Sequence, residues 1–272
     1  MSNLSYMQKA TDRGQLQIHV TTERGFFPIK DASIRLSYTG NPTEIIEELS
    51  TDISGQTAAV ELPAPPLEYS MEPSEFQPYS EYTIQVNASG YRPINISGIS
   101  VLPDKTSIQN VRMETATVEN PLERNIVITA NTLYGNFPPK IPEDEIKPIT
   151  ESGEIVLSRV VIPEYVIVHD GPPSDSSAND YYVRYRDYIK NVASSEIYAT
   201  WPDAALRANI LAIMSFTLNR VYTEWYRNKG YDFTITSSTA FDHKFVYGRN
   251  IFSNISNIVD EMFNSYLSRP NV

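Results

Sequence analysis

The spacing of apolar residues changes once along this chain, from every second residue before about position 185 to every third or fourth after it. A period of two lines one face of a strand, and a period of 3.6 lines one face of a helix. A chain that carries both in succession must fold as a β part followed by an α part. Residues 15–20 and 32–38 alternate, and 57–62, 81–86, 94–101 and 106–113 read the same way. Thr51-Asp-Ile-Ser-Gly55 and Ala88-Ser-Gly-Tyr-Arg-Pro93 supply turns between them. About seven short strands with Gly/Pro turns predict a β-sandwich over residues 14–118.

Residues 119–153 read as a connector, because Asn136-Phe-Pro-Pro-Lys-Ile-Pro142 is too rich in proline for a helix or a central strand. Two strands are expected at 155–161 and 164–168, with a loop at 171–178. Three helices follow. The first spans about 187–197, and the second runs from Pro202-Asp203 to about 228, ending at Gly230. The third is amphipathic and carries Ile251, Ile255, Ile258, Val259, Met262, Phe263 and Tyr266. The fold class is therefore α+β and multidomain: an N-terminal β-sandwich, then a mainly helical domain with a few strands over 154–272.

Net charge is −11, and no Lys/Arg cluster interrupts it, which argues against nucleic acid as a partner. The absence of cysteine excludes disulfides and thiolate metal sites. No apolar run approaches 18 residues, so no membrane span is expected. Residues 1–10 lack the apolar core of a classical signal peptide. Arginines interleave with aromatics in Tyr181-Tyr-Val-Arg-Tyr-Arg-Asp-Tyr188, as either a solvated rim or a surface that stacks on sugar rings.

One side chain breaks the helical pattern. On the first helix Ile189, Val192 and Ala193 form an apolar stripe, and Glu196 lies seven residues past Ile189, back at its centre. A carboxylate there is desolvated, which raises its pKa and lets it donate a proton near neutral pH. The bland alternative is a helix carboxylate paired with Lys or Arg. His19, His169 and His243 stand in no metal-ligand spacing, and no metal or cofactor is expected. Asp232 or Asp242 would be available as the second acid of a two-carboxylate glycosidase, but their spacing does not require it. A single acid/base is the simpler reading.

Two resemblances add to this. Pro28-Ile-Lys-Asp-Ala-Ser-Ile-Arg-Leu36, Thr51-Asp-Ile-Ser-Gly55 and Val86-Asn-Ala-Ser-Gly-Tyr91 resemble the transthyretin and carboxypeptidase-regulatory sandwiches, which implies a spacer or interaction module. Tyr188-Ile-Lys-Asn-Val-Ala-Ser-Ser-Glu-Ile197, Trp201-Pro202 and Ala205-Leu-Arg-Ala-Asn-Ile-Leu211 resemble the SpoIID-type lytic transglycosylases, closest to their clostridial spore-cortex-lytic, SleC-type branch. The resemblance implies cleavage of cortex peptidoglycan during germination, in the spore cortex or cell envelope, with Glu196 as general acid/base. It implies peptidoglycan strands as the partner and a possible activating protease. Tyr188, Asn191, Ser195, Trp201, Asn209 and His243 are then the neighbours expected to orient Glu196 or contact glycan.

The chain departs from the broader family at Met214, where relatives carry Arg. It departs again at Asp242-His-Lys-Phe-Val-Tyr-Gly248, where relatives show a cysteine-containing segment. Family members also continue past the point matching Val272, so a partial catalytic domain is expected. The alternative is a non-catalytic wall-binding or structural protein.

Overall fold

The computed structural model describes residues 12–23, 27–119, 122–131, 133, 139–140 and 159–268. The expected absence of a signal peptide at 1–10, most of the expected connector, and 155–158 of the expected strand 155–161 lie outside these residues. The chain divides into two compact units. The first takes the described residues before 135 with Tyr198–Trp201 and Tyr247–Asn254, and the second takes the rest.

The first unit contains β1 (Asp12–Thr22), β2 (Ser33–Tyr38), β3 (Asn41–Ser50), β4 (Val60–Ala64), a one-turn helix α1 (Glu68–Met71), β5 (Ser80–Asn87), β6 (Ile94–Val101), β7 (Thr106–Met113) and β8 (Arg124–Val127). The second holds β9 (Tyr165–His169), β10 (Asp180–Arg184), α2 (Tyr185–Glu196), α3 (Asp203–Tyr222) and β11 (Ile235–Thr236). β12 (Ile251–Phe252) returns to the first unit, as do the first two residues of α4 (Ser253–Met262).

The first unit has a four-stranded sheet, β12-β7-β1-β4, and a five-stranded sheet, β3-β2-β5-β6-β8. Alternation dictates which faces meet. Leu16, Ile18 and Val20 of β1 are buried, and so are Ile34 and Leu36 of β2 and Tyr82, Ile84 and Val86 of β5. Each such aliphatic side chain removed from water contributes about 1.5–3 kcal/mol. On β6 both Ile96 and Ile99 are buried although they lie three apart. A β-bulge reconciles this: Tyr82 pairs Ile99 while Ile84 pairs Ile96, so one residue faces two. Gly98 makes it possible, with φ 85° and the Ile128 carbonyl oxygen 2.3 Å from where a Cβ would stand.

Three strands of the first unit were not expected. β3 is an edge strand with exposed Glu44, Glu47 and Glu48, so it has no apolar alternation. Charge on a sheet edge discourages pairing with other chains. β8 lies within the expected connector and pairs in parallel with β6. β12 pairs antiparallel with β7, Ile251 opposite Ile108 and Phe252 opposite Ser107. Asn250 anchors this return. Its Oδ1 accepts hydrogen bonds from the Ser100 N–H (3.0 Å) and Oγ (3.1 Å), and its Nδ2 donates to the Ser100 carbonyl (2.9 Å).

In the second unit β9 pairs antiparallel with β10 and parallel with β11. α3 starts after Pro202, whose lack of an N–H is harmless there, and Asp203 sits at its positive end. The helix is shorter than expected and stops at Tyr222. Glu224 adopts φ 45°, and the Trp225 N–H reaches back to the Arg220 carbonyl (3.1 Å). This turn folds Trp225 and Tyr226 inward against Phe233. α4 is also shorter than the periodicity predicts, because Ile251 and Phe252 belong to a strand. Among the described residues, no helix is long and apolar enough to cross a membrane.

Candidate functional site

Glu196 is the last residue of α2. Tyr185, Tyr188, Ile189, Val192 and Ala193 bury one side of that helix, which fixes the direction of the side chain one turn further on. Ile197 is extended and ends the helix (φ −137°, ψ 150°). Glu196 is half-buried, and its Oε1 accepts the Lys244 backbone N–H at 2.8 Å. Its Oε2 accepts no hydrogen bond from the described residues. Burial raises the pKa of this carboxyl; the Lys244 N–H and the charges of Lys140 and Lys244 pull the other way without cancelling it. The negative end of the α2 dipole also disfavours the carboxylate.

The partner segment, residues 243–246, carries a tight turn in which the Phe245 N–H donates to the His243 carbonyl (3.1 Å), and it is held by two side chains of α2. Asn191 uses both ends of its amide on one residue: Oδ1 accepts the Val246 N–H (3.0 Å) and Nδ2 donates to the Val246 carbonyl (2.8 Å). With Glu196 on Lys244, α2 makes three hydrogen bonds to the backbone of this segment. Between them, Phe245 is buried and stacks on Tyr188, with ring centroids 5.8 Å apart.

The Tyr188 hydroxyl lies 3.4 Å from His243 Nδ1. Burial, with the Asp242 and Glu196 charges, holds that phenol protonated well past its usual range. Burial also pushes His243 down to about 3, so its imidazole is neutral near neutral pH. Ser195 turns its hydroxyl to the Asn191 carbonyl on its own helix (2.9 Å).

Behind this segment lies an ion pair that the spacing of the residues does not announce. Asp242 Oδ1 accepts from Arg220 Nε (2.7 Å), and the two side chains are 0% and 3% exposed. Asp242 Oδ2 accepts from the Tyr226 hydroxyl (2.6 Å), the Thr236 N–H (2.9 Å) and the Thr236 hydroxyl (2.7 Å). Arg220 lies over the Phe216 and Trp225 rings at 4.6 and 4.5 Å. Lys140 Nζ donates to the Asp242 carbonyl. The Asp242 carboxylate is thus fully occupied, and Asp232 is exposed.

The structure therefore gathers Glu196, Asn191, Tyr188 and His243 around residues 243–246. Asn209 lies on the exposed side of α3, its Nδ2 donating to the Ala205 carbonyl (2.8 Å). Trp201 belongs to the first unit, where Nε1 donates to the Ser70 carbonyl (2.9 Å). His19 is on β1 of that unit, and His169 ends β9 with Nδ1 2.7 Å from Asp180. A cavity of about 190 Å³ opens in the second unit beside Tyr165, Glu224 and Phe233, and Glu196 is not among its walls. Among the described residues, no group of three or more His, Cys, Asp or Glu side chains is placed to hold a metal ion.

The family model SpoIID, described as stage II sporulation protein, matches residues 178–261, a span that includes α2, Glu196, α3 and the Asp242–Val246 segment. No curated relative matches the chain. Among solved structures, the Bacillus anthracis TIE protein is 17% identical over 39% of this chain and 17% of its own, with a TM-score of 0.27. The minor pilin GBS52 of Streptococcus agalactiae is 13% identical over 39% of this chain and 46% of its own (TM-score 0.27). The Klebsiella pneumoniae 5-hydroxyisourate hydrolase is 17% identical over 37% of this chain and 86% of its own (TM-score 0.24). The chain spans less than half the length of the first two. Likeness at these TM-scores carries no argument.

Proposed function

We propose that this chain acts on the bacterial cell wall in sporulating cells, as a peptidoglycan lytic transglycosylase of the cortex-lytic, SleC-type branch. The observation that carries this reading is Glu196 itself. It is a half-buried carboxyl inside the span that matches SpoIID, with one oxygen fixed by Lys244 and the other without a partner among the described residues.

Protonated Glu196 donates from Oε2 to the glycosidic oxygen as the C1–O bond breaks. The resulting carboxylate takes the proton from the 6-hydroxyl of the same sugar as O6 bonds to C1. The product is an anhydro sugar, no water is consumed, and the carboxyl returns to its starting state. The occupation of Asp242 by Arg220, Tyr226 and Thr236 supports a single-acid route over a two-carboxylate one.

In this reading Asn191, Tyr188, Ser195 and His243 position Glu196 and the segment it holds, while Asn209 is the candidate to touch glycan in the second unit and Trp201 the candidate in the first. Residues 154–272 carry the reaction, although Tyr247–Asn254 pack with the sandwich. The sandwich of 14–118 is the accessory module, joined through 119–153. Action in the spore cortex during germination and activation by a protease belong to the same proposal.

Glu196→Gln is expected to abolish release of anhydro-muropeptides from cortex peptidoglycan with the circular dichroism unchanged. Equal release by both proteins overturns the assignment. Binding of peptidoglycan by the unaltered chain without any product favours a non-catalytic wall-binding role.

A further inference from the structure

The first unit carries a concave surface of its own, made by the segment between β4 and β5 with Ala130, Asn131 and Tyr198. A cavity of about 230 Å³ opens there, walled by Tyr69, Phe76, Tyr79 and Tyr198. That is below the roughly 300–1,000 Å³ of drug-sized sites and suits one ring of a chain rather than a compact multi-ring ligand.

Its aromatic walls are held in place. The Tyr79 hydroxyl accepts the Asn131 N–H (2.7 Å), and the Tyr198 hydroxyl accepts the Leu133 N–H (3.3 Å). Tyr69 and Phe76 stack with centroids 4.9 Å apart and planes 20° from parallel. Trp201 braces this corner from the side, edge-on to Tyr198 at 6.2 Å and hydrogen-bonded to the Ser70 carbonyl.

Phe76 remains 51% exposed although it is a large apolar ring already stacked on a neighbour. Hydrogen-bonding groups stand around it. The Glu75 carboxylate, the Tyr69 hydroxyl and Gln77 Oε1 have no partner among the described residues, while Gln77 Nε2 donates to the Tyr79 carbonyl (2.9 Å). Pre-set aromatic faces ringed by acceptors are the chemistry that recognises a sugar. The C–H face of a pyranose lies on the electron-rich ring face, and its equatorial hydroxyls donate outward.

We infer that the cavity lined by Tyr69, Phe76, Tyr79 and Tyr198 is a pyranose-binding subsite on the sandwich unit, separate from the Glu196 site. That its natural ligand is the N-acetylglucosamine of a cell-wall strand rests on the function proposed above; the subsite itself does not. Its role is to hold a glycan strand by a face that takes no part in cleavage.

The test uses the full chain carrying Glu196→Gln, titrated with an N-acetylglucosamine tetramer. Tryptophan indole N–H resonances are followed by NMR, because Trp201 Nε1–H points at Ser70, next to Tyr69. The expected result is a saturable shift of the Trp201 resonance. Phe76→Ala, a change at an exposed ring, and Tyr69→Ala should each weaken binding tenfold or more, and Glu75→Gln should weaken it less. No shift, or a shift that both alanine variants leave unchanged, overturns the subsite and leaves the Glu196 assay standing. Binding that persists while Glu196→Gln proves as lytic as the unaltered chain overturns the transglycosylase reading and leaves the subsite in place.

Discussion

Replacing Asp242 with asparagine keeps the shape of the side chain and removes its charge. In the folded protein that charge faces the Arg220 guanidinium at 2.7 Å, with both side chains out of water. Three further donors converge on the other oxygen, from Tyr226 and Thr236. An asparagine amide must present an NH₂ group to one side of this ring of donors, and the buried Arg220 loses the charge of Asp242 beside it. Breaking a buried pair from one side typically destabilises by about 3–5 kcal/mol. The cation–π contacts of Arg220 with Phe216 and Trp225 offset part of that, so the lower half of this range is expected.

Removing both charges in Arg220→Met/Asp242→Asn should be less damaging than the sum of the single changes, with a coupling on the order of 1–3 kcal/mol. Urea unfolding followed by Trp225 fluorescence, in a Trp201→Phe background, reads this unit directly because Trp225 packs on Arg220. A loss under about 1 kcal/mol for Asp242→Asn, or strictly additive single changes, would refute this reasoning. Asp242 is followed directly by His243 and Lys244, so the same variant should also lower lytic activity.

Asn250→Ala should destabilise the first unit by about 2–4 kcal/mol, because it removes three hydrogen bonds and leaves the buried Ser100 N–H without a partner. A thermal melt that does not move contradicts the role given to Asn250. For Glu196 the sign of the pH effect follows from its raised pKa. Its contribution to stability is full below the usual glutamate range and is lost as pH rises through the raised folded-state value. Glu196→Gln should therefore be more stable than the unaltered chain at neutral pH, by about 1.4 kcal/mol per unit of upward shift, with the gap closing in acid. A gap that widens in acid, measured by urea unfolding across pH, contradicts the burial argument.

The strands of the sandwich were legible wherever one face is buried, because Leu16, Ile18 and Val20, or Tyr82, Ile84 and Val86, leave an alternating record. β3 left none, since it is an edge strand whose residues mostly face water, Glu44, Glu47 and Glu48 among them. β12 was hidden because two residues are too few for a period and their partner, β7, lies more than a hundred residues earlier. α3 was read too long because its end was set by Gly230, whereas a tight turn at Glu224 stops the helix at Tyr222 and buries Trp225 and Tyr226.

In the candidate site, periodicity placed Glu196 on a helix at the centre of its apolar stripe. It was blind to what surrounds that carboxyl. The paired bonds of Asn191 to Val246, the Lys244 N–H on Glu196 and the Arg220–Asp242 pair all join segments far apart in sequence. Only the folded chain brings them together. Trp201, quoted beside Glu196 in the same motif, packs with the sandwich, because residues 198–201 leave the helical unit between α2 and α3.

The most direct test of the central claim is mass spectrometry of products released from cortex peptidoglycan by the purified chain in heavy-oxygen water. A lone Glu196 acting twice on one sugar predicts anhydro-ended fragments that carry no heavy oxygen, and none of these from Glu196→Gln. Reducing ends labelled with heavy oxygen, or anhydro fragments from both proteins alike, would contradict it.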